Sequence, residues 1–169
     1  MCPWREPDAD LRAFFPAATR YQTETRILSG QRLELQRRLE RVPTAQENSI
    51  YVHRIFRDNL PLGSVVTRRV KGENGAIEIV LALDTSGAVS GLRLQRLREP
   101  KPVAEALANP VWLGAFGGKT AESAPIIGKD LPELIREAQP SARSIIEGVR
   151  SLLVLMAVSE GRPNLANHH

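Results

Sequence analysis

The chain has 169 residues, 42% hydrophobic and 25% charged, which excludes a disordered or fibrous protein and predicts one domain of residues 1–169 with its core at about 11–158. Its one cysteine, Cys2, excludes an internal disulfide and a zinc site built on cysteines. The net charge of +4 comes from arginines spread between Arg5 and Arg162, some beside glutamates as in "ELQRRLERV", and only 5% of residues are aromatic, so a solvated basic face is expected and nucleic acid is not an expected partner.

In chain order, Pro7 and Asp8 open a short helix that carries Leu11, Phe14 and Phe15 and stops at Pro16. "TRYQTETRIL" alternates and is rich in threonine, which predicts a strand. "LSGQRLELQRRLERV" places Leu28, Leu35, Leu39 and Val42 at helical spacing, with Ser29 as the expected cap. The middle of the chain is β: "SIYVHRIFRDN", "GSVVTRRV", "AIEIVLALD" and "AVSGLRLQRLRE" are β-branched or alternating, separated by the turn sequences "DNLPLG", "KGENG" and "DTSG". Such short turns favour antiparallel neighbours.

After Pro100 the periodicity changes. "PVAEALANPVWLGAFGGK" predicts one or two short helices broken at Pro110, and "TAESAPIIGKDLPEL" a loop. "SARSIIEGVRSLLVLMAV" is the strongest helix, with Ile145, Val149, Leu152, Leu153 and Met156 as its apolar stripe and Ser141 as its expected cap. The fold class is therefore α+β, an antiparallel sheet with helices packed against it. The apolar run "LLVLMAV" is far shorter than a membrane span, and neither a transmembrane nor a targeting segment is expected.

Several chemistries lack their residues. "GAFGGKT" looks like a P-loop, but that motif has a glycine five positions before Gly118, where Leu113 stands. His53 is alone in a strand and His168 and His169 end the chain, so no metal site is expected and no Ser/His/Asp or Cys/His set supports nucleophilic catalysis.

Three blocks follow one another in the second half. "IEIVLALDTSGAVSGLRLQRLREP" pairs two strands about a D-x-x-G-x-V turn and ends in Arg98, Glu99 and Pro100. "NPVWLGAFGGK" sets Trp112, Leu113, Phe116, Gly118 and Lys119 in a Trp-Leu-x-x-Phe-x-Gly-Lys pattern, and the last helix carries Arg143, Ile145, Ile146, Glu147 and Val149. In this order they resemble the FMN-binding domain family, whose members include components of the sodium-pumping NADH:quinone reductase and of the Rnf electron-transfer complex. "LRAFFPAATRY" and "LSGQRLELQRRL" are similar to segments that precede the domain in some members, so the resemblance covers roughly Leu11 to Val158.

The resemblance implies an electron-transfer domain rather than a turnover enzyme, in a periplasmic or other extracytoplasmic setting, with a redox partner protein or a membrane electron-transfer complex as its partner. The family's Asp-x-x-Ser/Thr-Gly-Ala-Thr stretch, whose threonine is joined to the FMN phosphate in many members, falls here on Glu133, Arg136, Glu137, Ala138 and Gln139. Gln139 has no hydroxyl, so covalent attachment at that position is excluded. Any FMN is then held noncovalently, its phosphate near Gln139, Ser141, Arg143 and Ser144 at a helix N-terminus, where unpaired N–H groups and the macrodipole favour anions. Its ring would pack against Arg98 and Glu99 and against Trp112 and Leu113. The alternative is a flavin-free structural or interaction subunit of a redox assembly with the same fold.

Overall fold

The computed structural model describes residues 11–123 and 129–162. The predicted helix start at Pro7 and Asp8, together with Cys2, His168 and His169, lies outside the described residues; residues 11–14 are helical. The elements then run β1 (Arg20–Ile27), α1 (Arg32–Leu39), β2 (Ser49–Arg57), β3 (Leu60–Gly72), β4 (Gly75–Leu83), β5 (Val89–Gln95), α2 (Lys101–Leu107), α3 (Pro110–Gly114) and α4 (Gln139–Ser159). The strands form one five-stranded sheet in the order β1-β2-β3-β4-β5, each pair antiparallel. The expected α+β architecture is what the chain adopts.

The turns account for that meander. Only Asp58 and Asn59 separate β2 from β3, with Asp58 in the left-handed region (φ 54°) that aspartate tolerates better than most side chains. Glu73 and Asn74 close the next hairpin, followed by Gly75 at φ 128°. In "DTSGA" the Asp84 carboxylate accepts from the backbone N–H groups of Ser86 and Ala88 and folds the loop back on itself. Strand β3 is longer than "GSVVTRRV" predicts and includes Pro61, which sits at a register shift between Ile55 and Phe56, where a missing N–H is tolerated.

Two cap assignments do not hold. Ser29 lies in a 3₁₀ turn, Ser29–Gln31, that runs directly into α1, and no side chain caps that helix. Leu28, Leu35 and Leu39 are buried as the spacing predicts, but α1 stops at Glu40 in the left-handed region (φ 60°) and Val42 is exposed beyond it. Ser141 lies inside α4, because a 3₁₀ turn at Arg136–Ala138 feeds the helix from Gln139 onward. The break at Pro110 holds: Asn109 accepts from the Val111 N–H at 2.8 Å and starts α3 with proline in its first turn.

Helix α4 lies across one face of the sheet, against β2, β3 and β4, and α1 packs against it. Its predicted stripe is buried, and so is every residue from Ser151 to Val158, so its C-terminal half is wrapped on all sides. Leu11, Ile55, Val65, Val80 and Ala82 form a smaller cluster on the opposite face of the sheet, with Phe14 and Phe15 packed against it. Among the described residues no helix is long and apolar enough to cross a membrane.

Helix and sheet come close together at Gly148. A Cβ there would come within 2.6 Å of Val70 Cγ1 and 2.7 Å of Ile79 Cδ1, closer than real side chains approach. Gly148→Ala is expected to destabilise the fold by about 1–3 kcal/mol despite alanine's better helix propensity. Gly114→Ala, where a Cβ meets nothing within 4 Å, is expected to be neutral or slightly stabilising. Urea midpoints of the two variants check both expectations.

Candidate functional site

The first turns of α4 present two polar regions. On one side, Ser141 Oγ donates to Glu99 Oε1 at 2.9 Å and accepts from the Glu73 N–H at 3.1 Å. Glu99 Oε1 also accepts from the Asn74 N–H at 3.4 Å. Both side chains are buried, Ser141 fully. Gly72 leaves room for the carboxylate, since a Cβ there would lie 2.6 Å from Glu99 Oε1. The "REP" segment, the tip of the β3–β4 hairpin and the start of α4 therefore meet at one buried carboxylate.

Around this junction Gln139 uses its Nε2 on the Leu134 carbonyl (3.4 Å), while Arg98 is exposed. The Gln139 backbone N–H donates to the Arg136 carbonyl, and Pro140 has no N–H to offer. Ser141 is therefore a tie between segments, not a cap. Trp112 and Leu113 belong to the core: Trp112 is buried in edge-to-face contact with Phe116, centroids 5.2 Å apart, and Leu113 packs against the same cluster. "GGK" is a pin rather than a phosphate loop. Gly118 (φ 81°) donates to the Val89 carbonyl at 2.8 Å, Lys119 accepts from the Val89 N–H at 2.9 Å, and its Nζ pairs with Asp130 at 3.2 Å.

Arg143 and Ser144 point elsewhere. They line a groove of about 430 Å³ between α4 and β3, whose other walls include Arg41, Glu47, Arg68, Lys71 and Ser151. Its wall holds an ion cluster centred on buried Glu47. Arg41 clamps Glu47 with two hydrogen bonds, 2.7 and 2.9 Å, and reaches Glu147 at 3.0 Å. The Thr44 N–H donates to Glu47 at 2.9 Å as part of a capping box, Ser151 Oγ donates to the other carboxylate oxygen, and Arg68 donates to Ser151 at 3.0 Å. Burial by itself pushes the Glu47 carboxyl up; the hydrogen bonds from Arg41, Ser151 and the Thr44 backbone outweigh it and hold the group at about 2. Its carboxylate in turn raises Arg41, whereas Arg68 is pulled down by burial with Glu47 opposing.

His53 is buried on the other face of the sheet, with Nδ1 at 3.0 Å from Thr23 Oγ1, and burial lowers it to about 4. It is neutral at pH 7, which suits a packed strand residue. Among the described residues no group of three or more His, Cys, Asp or Glu side chains stands together as a metal site.

Sequence reasoning missed Arg41, Glu47, Arg68, Lys71 and Ser151. One signal was present, the Thr44-x-x-Glu47 spacing of a capping box. Ser151 was another, a hydroxyl within the apolar stripe of a buried helix, which requires a partner.

Two acid-linked losses of stability follow. His53 binds its proton at about 4 in the fold against an ordinary 6.5, so stability falls as pH drops from about 6.5 to 4. Glu47, held at about 2 against an ordinary 4.5, contributes stability that is complete above about 4.5 and is lost as pH falls toward 2. Urea midpoints measured against pH should show both steps, with His53→Gln removing the first. Ser141→Ala, which takes a partner from buried Glu99, is expected to cost about 1–3 kcal/mol, measured by the same unfolding curves.

No family model matches this sequence, and no curated protein matches it.

Proposed function

We propose that this chain is an electron-transfer protein of the FMN-binding-domain type, a subunit of an extracytoplasmic redox assembly, with flavin mononucleotide held noncovalently. One observation supports this reading above the others: Glu99 of "REP" and Ser141 of "QPSAR", 42 residues apart, are joined by a direct hydrogen bond. Those are two of the segments on which the resemblance rests, and they come together at the start of the last helix. The flavin would supply the redox chemistry, and the protein would supply position and electrostatics. Gln139 offers no hydroxyl for a phosphoester and the Ser141 hydroxyl is buried and bonded, which favours noncovalent retention. Exposed Arg98 and Arg143 are the cations available to a phosphate on either side of the helix start.

A second reading, a flavin-free interaction subunit of the same kind of assembly, is favoured by a separate observation. The buried Glu99 carboxylate already stands beside the first turn of α4, where a phosphate would be drawn.

The visible spectrum of the purified protein separates the two. Flavin bands in the folded protein that move to the supernatant after acid precipitation are expected for noncovalent FMN. A protein that stays colourless after incubation with FMN and desalting overturns the first reading in favour of the second. Flavin retained in the acid pellet would contradict both.

A further inference from the structure

We propose that the free edge of β1 is an interface with a second copy of this chain, the two β1 strands pairing antiparallel about a two-fold axis at Thr25 and joining the two five-stranded sheets into one. Strand β1 ends the sheet and pairs only with β2. One residue beyond it, the Leu28 N–H donates to the Asn48 carbonyl at 2.7 Å, in register with the β1–β2 ladder. Bonded and unbonded pairs alternate in an antiparallel ladder, so Gln22, Glu24 and Arg26 carry the bonds to β2. The N–H and C=O groups of Thr23, Thr25 and Ile27 therefore point away from the sheet, and no described residue bonds to them. The opposite edge is occupied at its start, where Val89 of β5 bonds through both its N–H and its carbonyl to Gly118 and Lys119. β1 has no proline, lysine or bulge of the kind that commonly blunts an edge: its sequence is "RYQTETRI" and its register with β2 is unbroken.

The charges on β1 favour a second copy as the occupant and select one register. With Thr25 on the axis, Glu24 stands opposite Arg26 of the second copy and Arg26 opposite its Glu24, two cross-strand pairs of opposite charge. Moving the axis to Glu24 sets two glutamates against each other, moving it to Arg26 sets two arginines, and moving it to Thr23 sets Arg20 against Arg26. Within the chain Arg26 already holds Glu24 Oε1 at 2.8 Å and donates to Ser159 at 2.9 Å, while Glu24 Oε2 has no partner among the described residues. Pairing joins the two Glu24–Arg26 pairs into one network of four charges. On the other face it lays Thr23 of the second copy beside Ile27, which is 67% exposed in the single chain. Thr25 exchanges two backbone hydrogen bonds with its counterpart, and on each side of the axis Thr23 exchanges two more with Ile27. Because the pairing uses the same edge of both copies, it closes at two and does not extend.

This edge is separate from the Glu99–Ser141 junction, and the proposal holds whether or not flavin binds. Its test therefore reads mass and not flavin colour. Sedimentation equilibrium of the purified protein across the micromolar range is expected to show a dimer. Thr25→Pro removes an N–H that faces the second copy and none that bonds β2, and Thr25→Lys sets two ammonium groups against each other at the axis. Thr25 is exposed, so both variants keep the wild-type circular dichroism spectrum, and each is expected to weaken dimerisation about tenfold or more. Register is read by cross-linking in a Cys2→Ser background. Thr25→Cys brings two thiols together across the axis at a Cα separation of about 5.5 Å, within disulfide range, whereas Thr23→Cys leaves them roughly 13 Å apart. Oxidation is expected to join the first variant and not the second. A monomer at every concentration, dimerisation unchanged in both Thr25→Pro and Thr25→Lys, or cross-linking through position 23 as readily as through 25 overturns the proposal.

Discussion

The structure depends on satisfying the polar groups of a helix that is buried on nearly every side. Ser141 and Ser151 are both buried in α4, and an unpartnered hydroxyl there would cost a large part of a domain's net stability. Each serine recruits a buried carboxylate from another element, Glu99 for Ser141 and Glu47 for Ser151. Each carboxylate in turn accepts from a backbone N–H in a turn, Asn74 in the β3–β4 hairpin and Thr44 in the loop before β2. The helix is thereby fixed along its axis at two points, with Gly148 between them allowing the backbone to approach Val70 and Ile79. Apolar packing alone would hold the helix against the sheet without setting its register so closely, because burial is not directional.

Arginine supplies most of the remaining ties. Arg150 donates to the Leu39 and Arg38 carbonyls at the open end of α1, Arg32 to the Pro43 carbonyl and the Asn48 side chain, Arg20 to Asp58, and Arg162 to Thr85. A guanidinium suits this work because its planar fork reaches two acceptors at once and keeps its charge when partly buried. Much of the basic excess is thus spent on loop carbonyls and helix ends inside the molecule, which is why it is dispersed along the chain.

The fold was legible because its signals are local. Alternation, β-branched residues and short polar turns specify hairpins between consecutive strands, and the Ile145, Val149, Leu152 stripe marks the helix that covers them. Helix starts were less legible: Ser29 and Ser141 have the chemistry of caps, but in both cases a 3₁₀ turn enters the helix first, so that Ser29 falls within the turn and Ser141 within the helix. The site was legible in pieces. Glu99 and Ser141 do meet, whereas Trp112 serves the core, and Arg143 and Ser144 face a different region from Gln139. Of the cluster around Glu47 only the Thr44-x-x-Glu47 spacing and the hydroxyl of Ser151 gave a sign, because it assembles residues from α4, β3 and the loop after α1, and no periodicity reports which polar side chains will share an interior.

The start of α4 also constrains how a flavin phosphate could be held. An anion at a helix N-terminus draws on free N–H groups and on the macrodipole. Here the Gln139 N–H is used by the incoming 3₁₀ turn, Pro140 has none, and the Glu99 carboxylate, hydrogen-bonded to Ser141, already faces the positive end. A second anion at that turn would meet repulsion from Glu99 and find few backbone donors. The attraction that remains comes from exposed side chains, Arg98 on one flank and Arg143 on the other, and solvent screens such charges. On the proposed reading, noncovalent FMN at this position would rest on flexible guanidiniums more than on the helix end, and its retention would be sensitive to ionic strength in a way that a phosphoester bond is not.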